Sequence, residues 1–116
     1  MKLTGTWKYS EDFSQEDSEG ELVLTQEGNV LSGTLRHTET PLEGNPYSIE
    51  QTMEGVYDND DKSFILKATT FTVLEAEEEI IYELDSFVAK VINEDLIVGT
   101  SEDEQGISGV FSFKRI

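Results

Sequence analysis

Tyr47-Ser48-Ile49-Glu50-Gln51-Thr52-Met53-Glu54-Gly55-Val56-Tyr57 is the longest unbroken alternation in the chain. Tyr47, Ile49, Gln51, Met53, Gly55 and Tyr57 share one parity, and period two puts them on one face of a pleated strand. Asp58-Asn59-Asp60-Asp61 follows, rich in side chains that bond their own backbone, and reads as a turn. Phe64, Leu66, Ala68 and Thr70 then alternate on a returning strand. The same grammar extends upstream. Leu3, Gly5, Trp7 and Tyr9 share a face, and so do Leu22, Leu24 and Gln26. Glu27-Gly28-Asn29 closes that second strand, with Gly-Asn suited to the positive φ of a hairpin turn, and Leu31, Gly33, Leu35 and His37 return.

Downstream, Ile80, Tyr82 and Leu84 take one parity and Phe87, Ala89 and Val91 the other. One extra residue at Asp85-Ser86 would bring both sets inside. Asn93-Glu94-Asp95 turns the chain. Leu96, Val98 and Thr100 alternate with Ile97, Gly99 and Ser101, so either face can point inward, and Gly109, Phe111, Phe113 and Arg115 close the chain. Glu11 to Glu19 and Thr38 to Pro46 are polar and read as loops. Val73 to Tyr82 contains Glu75, Glu77, Glu78 and Glu79, whose mutual repulsion favours a solvated loop with at most one helical turn.

Eight antiparallel strands on short turns predict an all-β fold. Full closure into an up-and-down β-barrel removes the sheet edges, and eight strands leave an interior filled by side chains or by one small ligand. A sandwich competes, but its Greek-key topology needs a long return connection. Residues 1–116 are expected to form a single domain.

The 25 acidic against 8 basic residues leave a net charge of −17. Eight scattered cations make no basic stripe, so nucleic acid is not an expected partner. Anionic membrane surfaces are disfavoured for the same reason, and no run of 18 apolar residues exists to span a bilayer. The absence of cysteine excludes disulfides, thiolate metal sites and thiol nucleophiles. No secretory signal follows Met1-Lys2-Leu3. The expected compartment is cytoplasmic if the chain is full length and extracytoplasmic if a signal was removed.

The first strand, Leu3-Thr4-Gly5-Thr6-Trp7, and the last, Phe111-Ser112-Phe113-Lys114-Arg115-Ile116, resemble the calycin superfamily of lipocalins, fatty-acid-binding proteins and avidins. The resemblance implies that Trp7 plugs the closed end of the barrel with Arg115 across its indole, a cation–π contact. Gly5 would leave room for neighbouring backbone. Gly28-Asn29-Val30-Leu31-Ser32-Gly33-Thr34-Leu35 is similar to the second hairpin of avidins, and Phe113-Lys114-Arg115-Ile116 to their chain end, which implies a streptavidin-like topology. Bacterial lipocalin-like domains open with a similar Leu-x-Gly-Thr-Trp. Fatty-acid-binding proteins insert a helical pair after strand one, for which Ser10 to Gly20 is too short. Avidins wall the biotin site with several tryptophans, whereas this chain has Trp7 alone, so biotin binding is not implied.

A plugged floor leaves an open rim, whose inward residues are candidate ligand contacts. Phase and strand direction select Tyr9, Gln26, His37, Tyr47, Gln51, Thr70 and Tyr82, a polar and aromatic set able to orient a small molecule. The competing reading makes them solvent-facing rim residues, or core polar groups bonded to each other. His37, the sole histidine, supplies one metal ligand at most, and its plainest reading is a strand-end imidazole half in solvent. The acidic turn at Asp58 lacks the glycine and glutamate of a twelve-residue calcium loop. No metal or cofactor is expected.

No nucleophile elbow, phosphate loop or His-Glu-x-x-His occurs, so an enzyme is not expected. The leading expectation is non-enzymatic binding of a small, partly apolar molecule in the barrel mouth. That molecule is neutral or cationic, because the acidic field repels anions. The alternative is an acidic protein-interaction or self-association module with a filled barrel. A small-barrel enzyme would instead show a polar pair of perturbed titration inside the mouth. The sequence leaves monomer and homo-oligomer equally open.

Overall fold

A computed structural model describes residues 2–13, 16–41, 43–80, 82–106 and 108–116. Eight strands follow in order: β1 (Gly5–Phe13), β2 (Glu16–Glu27), β3 (Val30–Pro41), β4 (Tyr47–Asp58), β5 (Ser63–Glu75), β6 (Asp85–Asn93), β7 (Leu96–Asp103) and β8 (Ser108–Arg115). Each is antiparallel to its neighbours, and β8 pairs back to β1 to close the barrel. No helix occurs among the described residues. The alternation therefore produces the up-and-down barrel it implies. One parity of each strand lines the interior, where Leu22, Leu24, Leu31, Leu35, Met53, Leu66, Phe87 and Phe113 are buried. Burial of each such side chain contributes roughly 1.5–3 kcal/mol.

Trp7 fills the closed end. Its Nε1 donates to the carbonyl of Leu3 at 3.0 Å. The Arg115 guanidinium lies 4.2 Å from the indole centroid and donates to the carbonyls of Lys2, Thr4 and Glu94 at 3.0, 3.1 and 2.8 Å. Gly5 has φ +150°, and a Cβ there would lie 2.7 Å from Arg115 Nη1. The space beside the indole is thus kept for the guanidinium and not, as the sequence suggests, for neighbouring backbone.

Several segments that read as loops are strand. In Glu11 to Glu19, Ser10 faces Glu19, Glu11 faces Ser18 and Asp12 faces Asp17 across the β1–β2 ladder, while positions 14 and 15 lie outside the described residues. Thr38 to Pro41 extend β3 against β2, and Val73 to Glu75 extend β5. High charge does not prevent strand formation when only alternate residues turn inward.

Three register shifts interrupt the ladders, at Thr69 and Leu74 on β5 and between Val91 and Asn93 on β6. β5 carries a register shift at Thr69, between the rungs Met53–Ala68 and Thr52–Thr70, and the Thr69 hydroxyl donates to the Thr52 carbonyl at 3.2 Å. The extra residue reverses the phase, so Thr70 pairs with outward-facing Thr52 and Phe71 pairs with inward-facing Gln51. The bulge anticipated at Asp85-Ser86 does not exist. Residues Ile80, Tyr82 and Leu84 belong to no strand, β6 begins at Asp85, and its own shift lies between Val91 and Asn93. The wall is also uneven. β5 meets β6 over Ser63–Lys67 and then continues to Glu75 paired with β4 alone among the described residues. The barrel therefore opens between β5 and β6 at the end opposite Trp7, and the connection leading into β6 returns beside that opening.

Candidate functional site

At the mouth the inward parity changes from apolar to polar. Continuing Trp7-Tyr9 gives Glu11; continuing Leu22-Gly20 gives Ser18; continuing Leu35-His37 gives Glu39. All three are buried, together with Gln51, Asp85 and Ser101. Gly20 lets this layer close up, since a Cβ there would lie 1.9 Å from the Arg36 carbonyl oxygen beside its rung partner His37.

The cluster has two linked halves. In one, the Tyr9 hydroxyl and the Ser101 hydroxyl each donate to a different oxygen of Glu11. In the other, His37 Nδ1 lies 2.7 Å from Glu39 Oε1, and the Ser18 hydroxyl donates to that same oxygen at 2.9 Å. Gln51 Nε2 lies 2.8 Å from His37 Nε2 and donates to Asp85 Oδ2 at 3.0 Å. An amide nitrogen only donates, so His37 Nε2 accepts and the ring proton sits on Nδ1, facing Glu39. Gln51 Oε1 accepts the Asp85 amide at 3.3 Å, and the Tyr82 hydroxyl donates to Asp85 Oδ2 at 2.5 Å. Tyr9 stands edge-on to His37 at 5.8 Å between ring centroids and joins the halves.

Burial dominates the electrostatics. It pushes the Glu11 carboxyl up from 4.5 to about 7, against the lowering pull of the Ser101 and Tyr9 hydroxyls, with the fields of Asp85 and Glu39 adding to the rise. Burial likewise raises Asp85, against the Tyr82 and Gln51 hydrogen bonds. Tyr9 is raised by burial and by Glu11, and Tyr82 by burial and by Asp85. The field of Glu39 adds a smaller rise to each of these groups. Its own Oε2 is buried without a partner; among the described residues the Tyr57 hydroxyl, on the closed-end half of β4, is the other such atom.

Five of the seven candidate contacts gather here. Tyr9, His37 and Gln51 are buried within the cluster. Tyr82 is half-buried over it, with its ring 5.8 Å from His37, 6.4 Å from Tyr47 and 5.7 Å from Phe71. The imidazole is thus interior, not half in solvent, because β3 continues past it to Pro41. Gln26 and Thr70 do not join. Gln26 sits at the opposite end, accepting the Leu3 amide at 2.7 Å and donating to the Gly28 carbonyl at 3.1 Å. Thr70 is turned outward by the bulge at Thr69. The residues the sequence reading missed are Glu11, Ser18, Glu39, Asp85, Ser101 and Phe71. Extending the period-two phase through the supposed loops finds the first three.

Ser18, His37 and Glu39 share the composition of a hydrolytic triad but not its geometry. Ser18 lies 3.2 Å from Nδ1, the same nitrogen that faces Glu39, and Gln51 occupies Nε2. A triad needs serine and carboxylate on opposite ring nitrogens.

No family model and no curated protein matches the chain. Solved structures do. The redesigned β-barrel mFAP0, bound to DFHBI, is similar at a TM-score of 0.70 and 14% identity, over 97% of this chain and 98% of that one. The redesigned barrel mFAP1, also bound to DFHBI, aligns at 0.68 and 16% identity over 97% and 94%. A de novo designed fluorescence-activating β-barrel aligns at 0.63 and 13% identity over 98% and 94%. At these identities the likeness is one of fold.

Proposed function

We propose that this chain is a calycin-like, non-enzymatic binding protein that takes a small, partly apolar molecule into the barrel mouth. The single observation that carries the reading is the convergence of Tyr9, His37, Gln51 and Tyr82 on one polar cluster beside the β5–β6 opening. Apolar walls with a few converging polar groups are the usual make-up of a small-molecule site. Two redesigned barrels of similar fold are bound to DFHBI, which supports a barrel of this fold as a small-molecule host. The Trp7–Arg115 stack supports the calycin comparison.

The raised carboxyls of Glu11 and Asp85 are the perturbed pair an enzyme would show. Both oxygens of Glu11 are engaged by Tyr9 and Ser101, however, and Asp85 is held by Tyr82 and Gln51. Groups so occupied serve recognition better than proton transfer to a reacting atom. The test is a thermal-shift screen of amphiphilic metabolites. A ligand at a hundred times its Kd should stabilise the fold by about 2.7 kcal/mol. Hits should lose their effect in Gln51→Leu and keep it in Gln26→Ala.

A second reading, self-association, is favoured by one surface feature. Val30, Val56, Ile65 and Val88 are exposed and are successive cross-strand partners on the outer wall. Depressions of about 390 and 530 Å³ lie along this row. Sedimentation of the wild type against Val56→Asp tests it: a dimer that Val56→Asp dissociates supports the reading.

A further inference from the structure

We propose that the mouth is a receptor for an organic cation, a primary ammonium or amidinium on a small aromatic or aliphatic body, whose N–H groups take Glu39 Oε2 as acceptor. The proposal rests on the mouth-binding reading above and narrows its ligand class. Glu39 is 2% exposed, its Oε1 already receives Ser18 and His37, and its Oε2 receives nothing. A buried carboxylate oxygen without a donor carries its full desolvation cost, and a guest N–H removes that cost.

Charge points the same way. Glu11, Glu39 and Asp85 are all interior, and His37 is the one basic side chain among them. Even a fully protonated imidazole balances one of three carboxylates. Tyr9 and Tyr82 are the remaining titratable groups facing the cluster, and Asp103 follows Ser101 on the inward parity of β7 at the rim. None supplies a positive charge. Tyr9 and Tyr82 pack against His37, and Tyr47 and Phe71 pack against Tyr82, so aromatic rings surround the imidazole that meets Glu39, and aromatic rings attract cations. No three ligating side chains converge on a metal-sized point among the described residues, and the neighbouring aromatic rings suit an organic cation.

A proton consequence follows. The empty cluster lessens its charge by keeping Glu11 protonated to about pH 7. A bound cation favours the ionised carboxylates, so binding releases a proton. Affinity then rises with pH between about 6 and 8, by at most about tenfold per unit for one linked proton.

The experiment is isothermal titration of the whole chain with 2-phenylethylammonium and with 2-phenylethanol, its neutral counterpart, in two buffers of different ionisation enthalpy. The expected result is at least tenfold tighter binding of the ammonium with net proton release at pH 7, and loss of that preference in Glu39→Gln. Equal or tighter binding of the alcohol overturns the cation assignment and leaves the mouth-binding reading standing. Binding of neither overturns both. An ammonium preference that survives in Glu39→Gln assigns the attraction to the acidic exterior and overturns the proposal. Should Glu39→Gln fail to fold by circular dichroism, wild-type proton release decides: its absence overturns the proposal.

Discussion

The closed end and the mouth of this barrel are built on the same strands and the same inward parity, yet they solve opposite problems. At the closed end the polar groups beside Trp7 have local partners, the buried Tyr57 hydroxyl excepted: the indole N–H meets Leu3, Gln26 meets Leu3 and Gly28, and Arg115 meets three backbone carbonyls. Arg115 there faces an aromatic ring, carbonyl dipoles and, at 3.7 Å, the Asp95 carboxylate, and is half-open to water. At the mouth, three carboxylates are buried around one imidazole, and one of their oxygens is left unpaired. Paired polar groups rigidify the fold, whereas buried carboxyl groups short of donors or counter-charge oppose folding. On the binding role proposed above, stability and recognition are segregated along the barrel axis.

That contrast can be broken at its strongest point first. Trp7→Ala should cost on the order of 3–5 kcal/mol in urea unfolding, the range for a large buried aromatic truncated to a methyl. A loss under about 1 kcal/mol would remove the distinction between the ends. The mouth should oppose folding as pH rises. Folded Glu11 keeps its proton up to about pH 7, whereas the unfolded chain releases it near 4.5. The folded state binds more protons in that window, so stability is full below about 4.5 and falls as pH rises through about 7. The loss is on the order of 3 kcal/mol by linkage. Unfolding free energies at pH 5 and pH 8 read it, and Glu11→Gln should flatten the slope. Gln26→Ala should cost about 1–2 kcal/mol for the two lost hydrogen bonds, to the Leu3 amide and the Gly28 carbonyl. Amphiphile binding, measured by thermal shift, should not change in that variant. Thr70→Ala, on the outer wall, should shift stability by less than about 0.5 kcal/mol and leave binding untouched.

Legibility followed the same axis. Where inward residues are apolar, as in Leu31-Gly33-Leu35 or Phe111-Phe113, alternation alone reveals the strand. Where they become Glu11, Ser18 and Glu39, hydropathy no longer marks the face, and a strand looks like a loop. Tyr9, His37 and Gln51 were still readable because each lies one step beyond an apolar run on the same parity. Thr70 was misplaced because nothing in Ala68-Thr69-Thr70 announces the extra residue that reverses the phase. Gln26 was misplaced because phase reports a face and not a height along the barrel.

The amino-acid order by itself determined the number of strands, their antiparallel succession, the indole plug and the acidic character of the whole. The strands and their succession follow from period-two patterning and turn chemistry, which act over a few neighbouring residues, the plug was implied by the resemblance of the chain ends to calycins, and the acidity is composition. Only the closed tertiary structure decided which carboxylates share an interior, which end the β5–β6 wall opens at, and which oxygen is left without a donor. Those properties belong to groups far apart in the chain, such as Glu11 with Ser101 and Gln51 with Asp85, brought together when the last strand meets the first.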